Sequence, residues 1–160
     1  MTYLGDLALT HSTIVLQNCN TVLPDLSVAF TAVFSTDEGD DGISLGTHSI
    51  LQFDRAVTNI GNGYNPQTGI FTAPLTGAYA FSLIVMVPHI HGPLGLDIVK
   101  QGVVLDKAWA PNTDDPDDQG STLVTTHLNA GEQVWVRQYS GDAVRGGYWT
   151  VFTGYLLQAE

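Results

Sequence analysis

The sequence predicts an all-β domain in which two antiparallel sheets face each other. From about residue 26 onward, runs rich in β-branched and aromatic residues are separated by Gly, Pro and Asn at intervals of roughly 8 to 12 residues. Helical periodicity is almost absent there, so no crossover helices are available to join parallel strands. These observations favour an antiparallel sandwich or barrel.

Nine or ten strands are expected. Several runs alternate between apolar and polar residues; Val134 and Val136 share one face of their strand, and Trp135 and Arg137 share the other. Turn-forming residues in GNGYNPQTG (61–69) and AGEQ (130–133) separate neighbouring runs. The expected strands are 27–34, 47–53, 69–73, 78–87, 95–100, 103–108, 121–128, 133–139 and 149–157.

The length of 160 residues fits one domain, which we place at 26–160. Residues 1–25 read as a separate N-terminal arm. Leu4, Leu7, His11 and Ile14 have the spacing of a weak helical seam, but an extended arm or an edge strand fits equally well. The single cysteine, Cys19, has no partner within the chain, so it either pairs with another chain or stays a buried thiol.

Charge is scarce but almost all negative. Charged residues are 13% of the chain, and 16 acids against 5 bases give a net charge of −11. No basic cluster exists to neutralise phosphates, which excludes nucleic acid as a partner and points towards cations. No apolar run approaches the roughly 18 residues of a membrane span. The N-terminus lacks a basic region followed by an apolar one, so we expect a chain that is either not secreted or in its mature form.

Catalytic motifs are not found. The sequence has no GxSxG elbow, no SxxK pair and no phosphate-binding GxxxxGK[ST] loop, so we do not expect an enzyme. His89 and His91, in PHIHG, stand two residues apart and would point the same way on an extended segment, where they could hold a metal or a ligand. A cupin-type site needs a glutamate where Gly95 and Leu96 stand, which favours a loop pair without a metal role.

Two acidic clusters, DEGDD (37–41) and DDPDD (114–118), hold four acids each and fall between expected strands. The first is not an EF-hand, because Gly39 and His48 replace ligands at positions three and twelve. The second offers four carboxylates and an amide to a hard cation such as calcium; the alternative is a solvated acidic loop. The candidate ligands are Asp114, Asp115, Asp117, Asp118 and Gln119.

One pattern of spaced aromatic residues resembles the signature of the complement C1q globular-head family. The pattern consists of Phe53, Asn59, Tyr64, Phe71, Gly77, Tyr79 and Phe81, with Leu83 in place of the usual aromatic. LNAGEQVWVRQ (128–138) and VFTGYLL (151–157) also look like family strands, so the resemblance covers about 26–159. It implies a ten-stranded antiparallel C1q/TNF-like jelly-roll sandwich that forms a trimer. A collagen Gly-X-Y stalk is absent, so the resemblance is to head-only members.

The resemblance also implies a calcium site and a function. Asp118 and Gln119 fall where family members carry a calcium ligand followed by glutamine, near the threefold axis of the trimer. Head-only members in invertebrates suggest a secreted pattern-recognition protein of innate immunity, which binds carbohydrate or microbial surfaces as a lectin. The alternative is a receptor ligand or structural assembly protein that binds a protein partner, with Cys19 linking trimers.

Candidate ligand-binding residues are polar or aromatic positions between strands. Trp109 is the best platform for stacking against a sugar, whereas Trp135 and Trp149 are expected to be packing residues within strands. The full candidate set is His89, His91, Trp109, Asn112, Tyr139, Asp142 and Arg145.

Overall fold

The computed structural model describes residues 26–113 and 118–160. The expected arm at 1–25, including Cys19, and the acids Asp114, Asp115 and Asp117 lie outside the described residues. The strands are β1 (Ala29–Val33), β2 (Ile43–Ser44), β3 (Arg55–Ile60), β4 (Tyr64–Asn65), β5 (Ile70–Thr72), β6 (Gly77–Met86), β7 (Leu94–Lys100), β8 (Val103–Ala110), β9 (Gln119–Leu128), β10 (Gln133–Ser140), β11 (Ala143–Val144) and β12 (Val151–Ala159). A short 3-10 helix spans Gly39–Asp41. Within the described ranges, no helix is long and apolar enough to cross a membrane.

Ten of the strands form two five-stranded sheets. The first sheet has the order β3-β1-β12-β6-β9 and the second has the order β4-β5-β10-β7-β8. The two remaining strands, β2 and β11, pair as a small ribbon. All the strand pairs described are antiparallel, which confirms the all-β, ten-stranded sandwich that the sequence predicts.

Aromatic rings from both sheets fill the space between them. Phe30 of β1 stacks on Tyr64 with ring centroids 4.8 Å apart and meets Phe71 at 5.1 Å. Phe152 of β12 contacts the edge of Phe30 at 5.0 Å. Each such side chain buries a large apolar area, and the stacked and edge-to-face pairs add to that burial. The two inward faces are therefore held together mainly by aromatic packing.

The spaced aromatic signature encodes this core. Phe53, Phe71, Tyr79 and Phe81 are buried, and so is Leu83, which fills the position where an aromatic was expected. The signature thus specifies packing between the sheets and not the surface of the domain.

Polar atoms of the signature close the turn beside the core. The Asn59 side chain donates to the Tyr64 carbonyl at 2.8 Å and accepts from its amide at 3.1 Å. The Tyr64 hydroxyl donates to the Phe53 carbonyl at 3.0 Å, which satisfies a buried polar group. Burial raises the pKa of Tyr64, so the hydroxyl stays protonated as a donor.

The predicted strand at 47–53 is wrong. Its backbone exchanges two hydrogen bonds with β10, from the Leu51 amide to the Val136 carbonyl at 2.9 Å and from the Gln138 amide to the Ser49 carbonyl at 3.0 Å, which make Ile50 an isolated bridge opposite Arg137. Leu51 and Phe53 are buried in alternation, which imitates a strand, but both act as core anchors of a loop. The strand follows instead as β3, whose pairing with β1 is bulged and whose apolar Val57 and Ile60 are each 48% exposed, so apolar and polar residues do not alternate along it.

Candidate functional site

Four connecting segments meet at one end of the sandwich, which we call the loop end; their described residues are 35–42, 87–93, 111–113 with 118, and 141–142. Strand register brings them together. Gly95 of β7 pairs with Trp109 of β8, and Met86 of β6 pairs with Gln119 of β9. Each of these four residues lies at or next to an end of its strand. A backbone bond of 3.4 Å from the Val87 amide to the Asp118 carbonyl joins two of the segments. Most of the candidate residues lie at or beside this end.

The two histidines have different surroundings. They lie in a turn closed by the bond from the His91 amide to the Pro88 carbonyl (3.0 Å), so the extended geometry that would align them does not form. His89 is exposed, and its carbonyl accepts from Asn112 Nδ2 at 3.5 Å. His91 Nε2 lies 2.8 Å from the Asp41 carbonyl oxygen, and Nδ1 lies 3.2 Å from Asp142 Oδ1. His91 therefore ties three loops together.

A second tie at this end holds the acidic cluster 37–41. Arg145 Nε lies 3.5 Å from Asp37 Oδ1, and its guanidinium carbon lies 5.1 Å from the centre of the Trp149 ring. Trp149 Nε1 donates to Asp37 Oδ2 at 3.0 Å. The expectation that Trp149 packs within a strand is wrong, because β12 begins at Val151 and Trp149 lies 43% exposed in the preceding bend. Its ring orders the acidic loop instead.

Asp118 begins the approach to β9. It is half-buried, and its Oδ2 accepts from the Thr113 amide across the loop. Gln119, the first residue of β9, is exposed. In the described ranges, no group of three or more His, Cys, Asp or Glu side chains converges on a point where a metal would sit. Of the calcium ligands named from sequence, the structure describes only Asp118 and Gln119.

The outer face of the second sheet carries a different arrangement, which we call the outer patch: Asp97, Lys107, Trp109, Arg137 and Tyr139. Asp97 of β7 stands between Arg137 of β10 and Lys107 of β8 in the strand register. Although only 1% of Asp97 is exposed, Lys107 Nζ and Arg137 Nη2 each donate to its carboxylate at 2.8 Å. One buried acid thus holds two cations.

The ionisation of Asp97 follows from these contacts. Burial raises the pKa of Asp97, but the hydrogen bonds and charges of Arg137 and Lys107 outweigh burial and lower that pKa below its usual range. The carboxylate is consequently charged at neutral pH, and it fixes the positions of both cations on this face.

The aromatic part of the outer patch lies beside Asp97 and its two cations. The rings of Trp109 and Tyr139 have centroids 6.3 Å apart, and Lys107 Nζ lies 3.9 Å from the centre of the Tyr139 ring. Gly95, between the two aromatics in the register, gives Tyr139 its room, because a Cβ there would clash with the ring. Trp109 remains 46% exposed.

The candidate residues therefore divide into two groups. His89 with Asn112, His91 with Asp142, and Arg145 belong to the loop end, whereas Trp109 and Tyr139 meet on the outer patch. Sequence reasoning missed Asp97 and Lys107 and treated Arg137 only as a strand residue. Alternation marks all three as outward-facing, but alternation does not give the register that places them opposite one another.

The fold defines a C1q/TNF-like jelly roll with connecting loops gathered at one end. The family model for the C1q domain matches residues 29–157, and the chain belongs to that family. The structure is similar to the globular domain of the zebrafish complement 1qA protein, with a TM-score of 0.67 and 18% identity over 83% of this chain and 99% of that one.

Other relatives extend the likeness. Murine APRIL at pH 5.0 matches with a TM-score of 0.64 and 16% identity, over 82% of this chain and 99% of that one. Eiger TNF from S. frugiperda matches with a TM-score of 0.64 and 12% identity, over 84% and 94%. Caprin-2 of Danio rerio is 30% identical over 140 residues, which is 86% of this chain. The chain spans only 15% of the length of Caprin-2.

Proposed function

We propose that the protein is a secreted, extracellular recognition module that binds glycans of microbial surfaces as a calcium-assisted homotrimer. The observation that carries the proposal is the lack of charged side chains on the outer face of the first sheet. Four of its strands, β1, β12, β6 and β9, contain no Asp, Glu, Lys or Arg, in a chain whose net charge is −11. We call the outward side of these four strands the uncharged face.

The composition of this face suits contact with another copy. Its cross-strand rows are Thr31, Thr153, Ser82 and Leu123; Ala29, Tyr155, Ala80 and Thr125; and Val33, Val151, Ile84 and Ser121, of which Val33 and Ala80 are buried within the protomer. Leu123 is 63% exposed, and Ile84 and Tyr155 are 39% exposed. The buried centres of protein interfaces are depleted in charge and enriched in aromatic residues. Copies that repel one another elsewhere can meet here without burying a charge.

A trimer would strengthen the binding of a repeated glycan by the loop end. Packing around a threefold axis repeats the same set of loops three times on one particle. Weak binding of one loop set to a repeated glycan then becomes strong through effective concentration. His91 and Arg145 hold these loops in fixed positions, which limits the entropy lost on binding.

Calcium is proposed to bind beside this end through Asp118, Gln119 and the acids Asp114, Asp115 and Asp117. Asp118 supports the assignment, because its carboxylate is half-buried at the start of β9, on the border of the uncharged face. Calcium prefers several oxygen ligands, and its charge would relieve repulsion between acidic copies.

Two measurements test the proposal. Light scattering coupled to size exclusion should give three times the chain mass, and a glycan array with calcium present should show binding above background. A trimer that binds no glycan would favour the alternative of a protein partner, such as a receptor. A monomer at micromolar concentration, with and without calcium, would contradict the proposal at its first step.

A further inference from the structure

We propose that the outer patch is a binding site for an acidic sugar, in which Trp109 stacks on the sugar ring and Lys107 binds its carboxylate. The inference rests on the proposed glycan binding and names the class of sugar and the residues that select it. It adds to the contacts proposed for the loop end a contact on the side of the sandwich, on β8 and β10.

The strand register brings the necessary groups onto one face. Lys107 and Trp109 are two residues apart on β8, so both point outward, about 6.6 Å apart along the strand. Ala108 between them points into the core and is fully buried. Tyr139 reaches over Gly95 and braces the arrangement from β10. The exposed indole is consequently held by packed neighbours.

The charge of the outer patch favours an anion. Asp97 supplies one negative charge against the two positive charges of Lys107 and Arg137, which leaves a net positive surface. The nearby Asp106 keeps its charge, but it is adjacent to Lys107 on β8 and therefore points to the other side of the strand, where its Oδ2 accepts from Thr122 of β9. Elsewhere acids outnumber bases, so an anionic ligand would be repelled from most of the molecule and attracted here.

The form of the patch favours a carboxylated sugar over a simple anion. An aromatic ring offers an apolar surface to the C–H face of a pyranose, and a few fixed polar groups beside it set orientation. Lys107 is 53% exposed even though it is bonded to Asp97, so its ammonium can make a further charge-assisted bond. A uronic or sialic acid presents both parts, a ring face and a carboxylate.

Titration calorimetry on the full chain tests the site with two acidic probes, polygalacturonate oligomers and sialyllactose, and two neutral ones, galactose oligomers and lactose. We expect tighter binding of an acidic probe than of its neutral counterpart, and the better acidic probe identifies the source of the carboxylate. Trp109→Ala and Lys107→Gln should each weaken acidic binding by about tenfold, the loss of one good contact. Lys107→Arg should retain binding.

Matched controls separate the site from general effects of charge and folding. Arg55→Gln removes a cation that lies 5.7 Å from the Tyr148 ring, and Tyr148→Ala removes an aromatic ring that is 62% exposed; both should leave acidic binding unchanged. Thermal unfolding checks that every variant folds.

The outcomes distinguish this inference from the proposed function. Glycan binding that survives both Trp109→Ala and Lys107→Gln, or that does not prefer acidic probes, overturns the outer patch and leaves the proposed function standing. A folded trimer that binds no glycan on the array or in the calorimeter overturns both.

Discussion

The two outer faces of the sandwich have the same strand geometry but opposite distributions of charge. The uncharged face presents rows of Thr, Ser, Val, Ile, Leu and Tyr without an Asp, Glu, Lys or Arg on its four strands. The outer patch presents two cations and two aromatics around one buried acid. The difference indicates that one face is suited to being covered and the other to remaining in water.

The energetics explain why each face fits only one of these conditions. Burying an apolar, hydroxyl-bearing surface against another copy is favourable, because no charge loses its hydration. Covering the outer patch would strip water from Lys107, which is 53% exposed, without supplying a new partner. A contact between copies on the uncharged face therefore leaves the outer patch free for a ligand.

The largest expected effect comes from placing a charge on the uncharged face. Leu123→Asp should abolish trimer formation at micromolar concentration, because burying an unpaired carboxylate costs several kcal/mol, on the order of 3 or more per copy. Light scattering measures the mass.

Val103→Asp is the matched control for this charge. Val103 is 67% exposed at the start of β8 in the second sheet, so its replacement should leave the assembly intact. If Val103→Asp abolished the trimer and Leu123→Asp did not, the contact between copies would lie on the second sheet and not on the uncharged face.

A smaller effect is expected from removing the acid of the outer patch. Asp97→Asn should lower the free energy of unfolding by about 2–3 kcal/mol at pH 7, since two partly buried cations lose their counter-ion. Urea unfolding measures the change.

The pH dependence follows from the lowered pKa of Asp97. The stabilisation by this carboxylate is fully present above its unfolded pKa of about 3.9 and is lost as pH falls through the lower folded value. The difference between wild type and Asp97→Asn should hold from pH 7 down to about pH 4 and shrink below it.

A surface ion pair provides the comparison for Asp97. Glu132→Gln breaks the bridge of 3.0 Å between Lys100 and Glu132, both of which are more exposed than Asp97, and should cost much less. Equal losses in the two variants would show that the burial of Asp97 adds nothing to its pairing.

The smallest effect concerns calcium at the border of the uncharged face. Calcium in tenfold excess over Kd should stabilise the wild type by about 1.4 kcal/mol, seen as a rise in Tm that excess chelator reverses. Asp118→Asn keeps an acceptor for the Thr113 amide but removes the charge, so its Tm should no longer respond to calcium.

Asp37→Ala is the control for this response. It should lower Tm with and without calcium, because it breaks the contacts with Arg145 and Trp149, but it should keep the rise with calcium. An unchanged Tm of the wild type in chelator would contradict the calcium site.

Much of the fold could be predicted because its signals are local. Alternation in β10 and the spaced aromatics from Phe53 to Phe81 give strand identity and core membership directly. The prediction failed at 47–53, where Leu51 and Phe53 imitate a strand, and at β3, whose bulged pairing with β1 hides its pattern. Trp149 failed for a related reason, since a bend before β12 turns its ring towards Asp37.

The sequence by itself determined the strand rhythm, the aromatic core and the absence of charge from β1, β6, β9 and β12, since each of these is a property of single residues or of neighbours along the chain. The tertiary structure decided which strands lie side by side. Only that register sets Asp97 between Lys107 and Arg137, and brings Trp109 to Tyr139 across Gly95. The contact between Asp97 and Arg137 joins residues 40 positions apart, which alternation within one strand does not specify.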